Sequence, residues 1–392
     1  MEGISDQYFS LSISGDREKL QRWDAFYHYD GRFYPGESGG MLHSLSEAYL
    51  QRNIGRSSIS IGRKIVDWNP HEPFWGLAVL NANRGFSYMD YEREGLAGLH
   101  FQRRMGGFNF HLFGSVVHIP QINPTFRIRD QKVESINEWS ALPFREVAYN
   151  GNKIPINYTL DEPDIAGIVL NQSAGAQIGY DWNTGGVKAY GTYKPENLIR
   201  INATGYYDPN TEAAEVRARP FANHHVVWGG HVNQEVKSFE TAVGFEVDHP
   251  RVGSDESFEF EALKIVPVYT KRTYAYGQVE KKLKYAKVGV HFVELVDGKN
   301  TDANAFSSKA MWTRAGGLSV DWSMTAKLNY LFMGKYDFAL GDSLVRNQLS
   351  YQFGRHVSAK AGFEMVRSED PKSFWLPFKT NDSVYTGLGY LF

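Results

Sequence analysis

Val384-Tyr385-Thr386-Gly387-Leu388-Gly389-Tyr390-Leu391-Phe392 closes the chain and decides its fold. Every second residue from Val384 is Val, Thr, Leu, Tyr or Phe, and those between are mostly small. A period of two residues puts one apolar face on a β-strand. The same alternation recurs upstream. Val357, Ala359, Ala361, Phe363 and Met365 alternate with Ser358, Lys360, Gly362 and Glu364. Ala286, Val288, Val290 and Phe292 alternate with Lys287, Gly289 and His291. Phe239, Val243, Phe245 and Val247 alternate with Glu240, Gly244 and Glu246, and Phe108, Phe110 and Leu112 with Asn109 and His111.

Composition narrows what such strands can build. The 392 residues carry 42 Lys+Arg against 44 Asp+Glu, a formal net charge of −2. Duplex nucleic acid usually needs a basic surface, so it is not expected as a partner. Cysteine is absent, which excludes disulfides, thiolate metal sites and thiol catalysis. Aromatic residues make up 15%, and mean hydropathy is −0.42. The longest apolar runs, such as Trp75–Leu80, stop at about six residues, far below the ~20 of a membrane helix. A chain of alternating strands keeps average hydropathy low even when it spans a membrane.

Period two fits a soluble sandwich as well as a membrane barrel. Three features favour the barrel. Many strands run ~10 residues, the length of a tilted membrane strand, against a usual ~5–6. Short connections (53–56, 105–107, 182–185, 321–323, 354–356) alternate with long ones (66–93, 119–171, 248–256, 296–306, 334–342, 368–383). Tyr27, Tyr29, Trp182, Trp312, Trp322, Tyr330 and Tyr351 fall near strand ends, as two interfacial girdles require. Strands are expected near 20–32, 43–53, 57–66, 94–105, 107–118, 172–182, 186–193, 197–207, 213–232, 236–247, 257–268, 272–282, 285–295, 309–320, 324–333, 343–353, 356–367 and 384–392. That is about 18, with 16 as the alternative. Residues 7–14 form a further candidate, and Pro220 divides or bulges 213–232.

With a terminal strand that ends in Phe392, the sequence resembles bacterial outer-membrane β-barrel proteins of the porin-like or export-channel-like kind. Glu47–Gln51 and Ser58–Lys64, either side of a tight turn, are similar to a strand–turn–strand common in porins and polysaccharide-export barrels. The resemblance implies an all-β fold: one transmembrane, antiparallel up-and-down β-barrel over residues 1–392, with short periplasmic turns and long extracellular loops. It implies an outer-membrane location in a Gram-negative envelope, contact with bilayer and lipopolysaccharide, and recognition of the strand ending in Phe392 by the barrel-assembly machinery. Met1-Glu2-Gly3 leads into polar sequence without a signal peptide, so an exported chain would be met here in its mature form.

The face opposite the apolar stripe would line the lumen. The residues expected there are Glu47, Lys64, Arg200, Arg217, Arg219, Glu240, Lys287, Lys327, Arg346 and Lys360. Arg200, Arg217 and Arg219 on neighbouring strands would form a basic ladder for anions; the plainer expectation is a solvated, ion-paired wall. Loop 119–171 is too apolar for a solvated tail and is expected to constrict the lumen; loop 66–93 could also fold inward. No Gly-x-Ser-x-Gly elbow and no His-Glu-x-x-His motif is present. His224 and His225 point to opposite faces of a strand and cannot share a metal. No enzyme activity and no cofactor are expected. The function expected is a porin-like channel for hydrophilic solutes or a polymer such as a polysaccharide. The alternative is a plugged barrel that anchors a partner, and a third reading is a soluble all-β protein. Oligomeric state is left open.

Overall fold

The computed structural model describes residues 4–20, 22–34, 40–85, 88–89, 91–121, 127–134, 139, 145–251, 270–298, 309–379 and 381–391. Seventeen strands make one sheet. They are β1 (Ile4–Leu20), β2 (Trp23–Tyr34), β3 (Gly40–Ile54), β4 (Ser57–Lys64), β5 (Leu96–Met105) and β6 (Phe108–Ser115). Then come β7 (Ser173–Trp182), β8 (Gly185–Pro195), β9 (His224–Val236), β10 (Phe239–Pro250), β11 (Arg272–Lys282) and β12 (Ala286–Asp297). The last five are β13 (Arg314–Ser323), β14 (Leu328–Asp337), β15 (Ser343–Gln352), β16 (Val357–Arg367) and β17 (Ser383–Leu391).

Each strand pairs antiparallel with the next in sequence, from β1 to β17. β1 then pairs with β17 in parallel, from Ile4↔Ser383 to Ser12↔Leu391. The pairings close a ring with no free edge, the one sheet geometry that satisfies its backbone in hydrocarbon. An odd number of strands forces one parallel seam.

The strand list from periodicity differs from this ring at three places. Residues 257–268 lie outside the described residues. Residues 197–207 form a strand, Arg200–Asp208, that leaves the ring for a loop sheet. Residues 213–232 split into Ala213–Phe221, in that same loop sheet, and β9. With 197–207 in the loop sheet and 257–268 outside the described residues, the other 16 expected strands are the antiparallel strands β2–β17, and the candidate at 7–14 becomes β1.

Two-residue turns close β3–β4, β5–β6, β7–β8 and β9–β10 at one end of the ring. Tight hairpins favour positive φ at their tips; Gly106 supplies +62° and Lys237 +58°. All long connections gather at the other end. Outward positions are apolar: Ile61, Leu99, Leu112, Ile178, Val243 and Val290 are 50–59% exposed. They stand side by side in register, as Ile61↔Leu99 and Ile178↔Phe110 show. A continuous apolar girdle around a closed sheet faces lipid rather than water. Trp182, Tyr180, Phe108, Trp322, Tyr351 and Phe353 form an aromatic rim on the turn side. Trp312 is not part of a rim; it is fully buried at the loop end.

The long loops fold into three bodies. Residues 65–95, between β4 and β5, enter the ring. They carry a short helix, α1 (Glu72–Trp75), and a hairpin of Ala82–Gly85 with Tyr91–Glu94. The loops 116–172 and 196–223 join in a four-stranded sheet ordered Glu146–Tyr149, Asn152–Leu160, Ala213–Phe221, Arg200–Asp208. Its central pair is parallel, Ile156↔Ala214 to Leu160↔Ala218. Ile154, Ile156, Tyr158, Ala214, Val216 and Ala218 form its own core. Of the described residues of 119–171, Glu146–Tyr149 and Asn152–Leu160 build this cap sheet while Trp139 packs at the mouth, and it is loop 65–95 that reaches into the ring. The third body is aromatic: Trp75, Trp139, Trp312, Trp375 and Phe378 pack at the mouth with Tyr274, Val293, Leu344 and Val366 of the wall.

A charge on the outer girdle tests the lipid-facing assignment. Leu99→Arg is expected to lower unfolding stability in phospholipid vesicles by about 2–4 kcal/mol, measured by urea titration of tryptophan emission. Gln102→Arg, on the inward side of the same strand, is expected to change it far less.

Candidate functional site

The lumen is occupied by loop 65–95, and the wall is cut to receive it. Trp68 enters against Gly175, where an added Cβ would lie 2.9 Å from its ring. Phe74 rests on Gly317, where a Cβ would lie 2.5 Å from it. Phe74 also stacks on His291 of β12 at 3.6 Å between centroids. Lys335 of β14 holds its ammonium 5.1 Å from the Phe74 ring and 5.6 Å from that of Trp312. His71 stacks on Tyr276 of β11 at 5.2 Å. His291 stands midway along its strand, so the loop reaches the middle of the ring.

Polar contacts tie the loop to strands all around the wall. The Asn69 side-chain amide donates to Glu246 of β10 at 3.0 Å, and the same carboxylate accepts from the Tyr190 hydroxyl at 2.7 Å. Buried Lys194 donates to the Val79 carbonyl at 3.2 Å and to Asn197 at 2.8 Å, while Asn197 donates to the Ala78 carbonyl at 2.7 Å. The Arg346 guanidinium donates to the Met89 carbonyl and pairs with Glu364 at 3.5 Å. Arg63 pairs with Glu94 at 2.8 Å, and Arg32 with Glu92 at 3.1 Å. At the mouth, Trp312 Nε1 donates to the Trp75 carbonyl at 2.9 Å.

One chain of bonds fixes its own proton positions. Trp68 Nε1 can only donate, so His111 Nδ1, 2.9 Å away, accepts. The His111 proton then sits on Nε2 and is donated to His100 Nδ1 at 3.2 Å. His100 in turn carries its proton on Nε2 and donates to the Leu96 carbonyl at 3.2 Å. Both imidazoles are neutral in this arrangement; a second proton on His111 would remove the acceptor that holds Trp68.

Glu72 organises the loop itself. Its Oε1 accepts from the backbone N–H of Val79 at 2.6 Å and of Leu80 at 2.8 Å, drawing residues 72–80 into a closed bend. Its Oε2 is buried without a hydrogen bond among the described residues. Burial, reinforced by the nearby Glu246 carboxylate, pushes Glu72 up from 4.5 to about 8. Burial, with His231 close by, pushes His71 down from 6.5 to about 4. Among the described residues no group of three or more His, Asp or Glu is arranged to hold a metal. Asp67 is turned out to Arg93 at 2.9 Å and does not meet His71 and Glu72.

The residues expected to line a pore are distributed unevenly. Glu47 and Lys64 lie on inward positions of β3 and β4, where Glu47 accepts from the Ile65 N–H and Lys64 donates to Gln51 at 3.0 Å. Glu240, Lys287, Arg346 and Lys360 lie on ring strands, with Lys287 paired to Glu280 at 2.7 Å and Glu240 to Lys282 at 2.5 Å. Lys327 sits in the β13–β14 turn rather than on a strand. Arg200, Arg217 and Arg219 belong to the cap sheet, so no basic ladder of these three stands on the wall. Arg200 pairs with Glu196 at 2.5 Å and Arg217 with Asp161 at 2.6 Å. Periodicity alone could not distinguish a cap strand from a ring strand, since both alternate. The seats Gly175 and Gly317 were not singled out in the sequence; two glycines in otherwise alternating strands are the signal that marks a close approach.

The geometry defines a transmembrane β-barrel whose lumen is filled by one of its own loops. No protein-family model matches the chain, and no curated protein matches it. Among solved structures the chain is similar to a BenF-like porin from Pseudomonas fluorescens Pf-5, at 8% identity and a TM-score of 0.45, covering 92% of this chain and 82% of that one. It is similar to the outer membrane protein OpdK from Pseudomonas aeruginosa at 10% identity and a TM-score of 0.44, covering 93% and 92%. It is similar to OccAB1 from Acinetobacter baumannii at 10% identity and a TM-score of 0.41, covering 89% and 81%. Likenesses this distant carry no argument; the closed ring and its girdle are features of this chain itself.

Docking of the loop should depend on pH through Glu72. Below pH 4.5 the carboxyl is protonated whether docked or free, and the docked state keeps its full stability. As pH rises from 4.5 to about 8 a free Glu72 ionises while the docked one resists, so docking weakens across that interval. His71 acts oppositely: docking weakens as pH falls from 6.5 to about 4. Ionic current through the wild-type protein in a planar bilayer is expected to rise between about pH 6.5 and about pH 8. Glu72→Gln is expected to flatten that rise; a rise that survives the substitution would exclude Glu72 as its source.

Proposed function

We propose that this protein is an outer-membrane channel, porin-like in architecture, whose resting lumen is closed by loop 65–95. The observation that supports this reading most directly is the mismatch between the loop and the wall on the turn side of it. Above, the loop is sealed by aromatic packing. Below, the inward positions are polar and of both signs: Lys188, Lys287 and Lys360 face the same space as Asp181, Glu280 and Gln348. Charge of both signs at these turn-side positions suits a wall that meets water and solute. Diffusion through such a lumen needs no catalytic residue. With the three arginines in the cap, charge selectivity is expected to be weak, and the solute class is hydrophilic and of either sign.

The loop is held by stacking, two glycine seats, single hydrogen bonds and the ion pairs Arg63–Glu94 and Arg32–Glu92 rather than by continuous strand pairing with the ring. That is a movable element. The second reading, a plugged barrel that anchors a partner, draws on the cap sheet, which presents a folded surface at the loop end.

Single-channel recording separates the two. Wild-type protein is expected to give rare, brief steps. A variant with residues 66–93 replaced by a short Gly-Ser linker is expected to give persistent large steps with an anion/cation ratio near one. Gly317→Val, which drives a side chain into the Phe74 ring at a cost of about 1–3 kcal/mol, is expected to raise the open fraction with the loop intact. Silence from all three proteins, despite membrane insertion, would overturn the channel reading and leave the anchor.

A further inference from the structure

The turn side of the ring carries one patch that neither the channel nor its plug uses. The turns β3–β4 and β5–β6 lie side by side, and the Arg104 N–H donates to the Arg56 carbonyl at 3.0 Å. Between them is a recess of about 680 Å³ bordered by Ile54, Arg56, Arg103, Arg104 and Met105. Strand register places Arg52 beside Ile59 and Arg103 beside Ser57 and Phe110. Arg52 shares its face with outward Leu50, and Arg103 shares its face with outward Leu99, so both leave the sheet on the lipid side.

Their charge is uncompensated. Among the described residues no carboxylate forms an ion pair with Arg52, Arg56, Arg103 or Arg104, whereas beside the β11–β12 turn Lys282 is paired with Glu240 and Lys287 with Glu280. The acids on adjacent strands are engaged elsewhere: Asp24 accepts from Asn53 at 3.3 Å and Asp181 from Asn109 at 2.7 Å. Depth is set by the neighbouring aromatic rim, where Phe108 meets Tyr180 at 4.9 Å. Aromatic rims sit at the headgroup level.

Guanidinium groups bind phosphate through paired N–H donors, with a geometry an ammonium does not offer. Here several of them stand at headgroup depth with apolar side chains immediately above. We propose that the paired turns 54–57 and 105–108 hold an anionic phospholipid of the leaflet on the turn side, its phosphate among Arg52, Arg56 and Arg103 and an acyl chain along Ile59 and Phe101. The site rests on the membrane reading of the barrel and is independent of whether the lumen conducts. Free inorganic phosphate shares the headgroup chemistry, but it has no use for the apolar flank.

The test uses the full chain reconstituted in vesicles, with flotation as the measure of insertion. Protein extracted into detergent is then examined by native mass spectrometry for retained phosphatidylglycerol against phosphatidylcholine of the same acyl chains. Wild-type protein is expected to retain the anionic lipid about tenfold over the neutral one. The R52Q/R56Q/R103Q variant is expected to lose the preference, R56Q alone to reduce it, and K282Q to keep it. Millimolar inorganic phosphate is expected to leave retention unchanged. Equal retention of both lipids by wild type, or an undiminished preference in the triple variant, would overturn the proposal. Displacement of lipid by inorganic phosphate would overturn it in favour of a free-anion site. Wild-type protein that does not float with the vesicles would instead fault the membrane reading itself.

Discussion

A polypeptide in hydrocarbon has no water to satisfy its peptide groups, and everything else in this molecule follows from how that demand is met. The sheet returns on itself through the β1–β17 seam, so each ring strand has a neighbour on both sides. Closure fixes the two faces of every strand at once. The outward face becomes a lipid girdle and the inward face encloses a space wide enough to admit a loop. It also gathers the long connections at one end, because sequential antiparallel strands alternate direction. The lumen loop, the cap and the aromatic mouth can meet only because closure brings their anchors together.

Inside that frame the molecule uses two kinds of contact for two purposes. At the mouth, Trp75, Trp312 and Trp375 exclude water by mutual packing, with centroid separations of 5.4 Å for Trp75–Trp312 and for Trp312–Trp375. Deeper, the loop is oriented by directional polar contacts: Asn69 to Glu246, Lys194 to Val79, Trp68 to the neutral His111–His100 pair. Buried polar contacts favour one arrangement strongly while leaving each partner costly if abandoned. Such an interface is suited to two discrete states, seated and released, rather than to gradual loosening.

The strands were legible in the sequence because a girdle of this size imposes alternation on each of them, as in Phe239–Val247 and Val357–Met365; strand length, the alternation of short and long connections and the terminal Phe392 turned that pattern into a barrel. The short and long connections were equally plain, since a two-residue turn such as Gly106-Gly107 leaves no room for another structure. The strand count was less so. Residues 200–208 and 213–221 alternate as ring strands do, because a cap sheet with one core face obeys the same period. Nothing local records that their partners are Asn152–Leu160 and each other. The lumen loop was visible as one of two long connections, 66–93 and 119–171, but it was the apolar composition of 119–171 that drew the expected constriction, and composition does not say which loop turns inward. That choice is made by the wall: among the described residues it is Trp68, Phe74 and Asn69 of 65–95 that meet Gly175, Gly317 and Glu246, and a register between distant strands is not written in any one of them.

The parallel seam carries a consequence for how the chain reaches this state. It joins residues 4–12 to residues 383–391, the greatest separation along the sequence that any pairing in the ring spans. Until β17 is made and delivered, the growing sheet has two bare edges, each an invitation to pair with another chain. Parallel pairing is also slightly weaker per residue than antiparallel. The last joint to form is thus the one with the longest loop to close and the least to gain from each bond. Assembly of this barrel is a race between that closure and edge-to-edge association, and anything that shields β1 until β17 arrives decides its outcome.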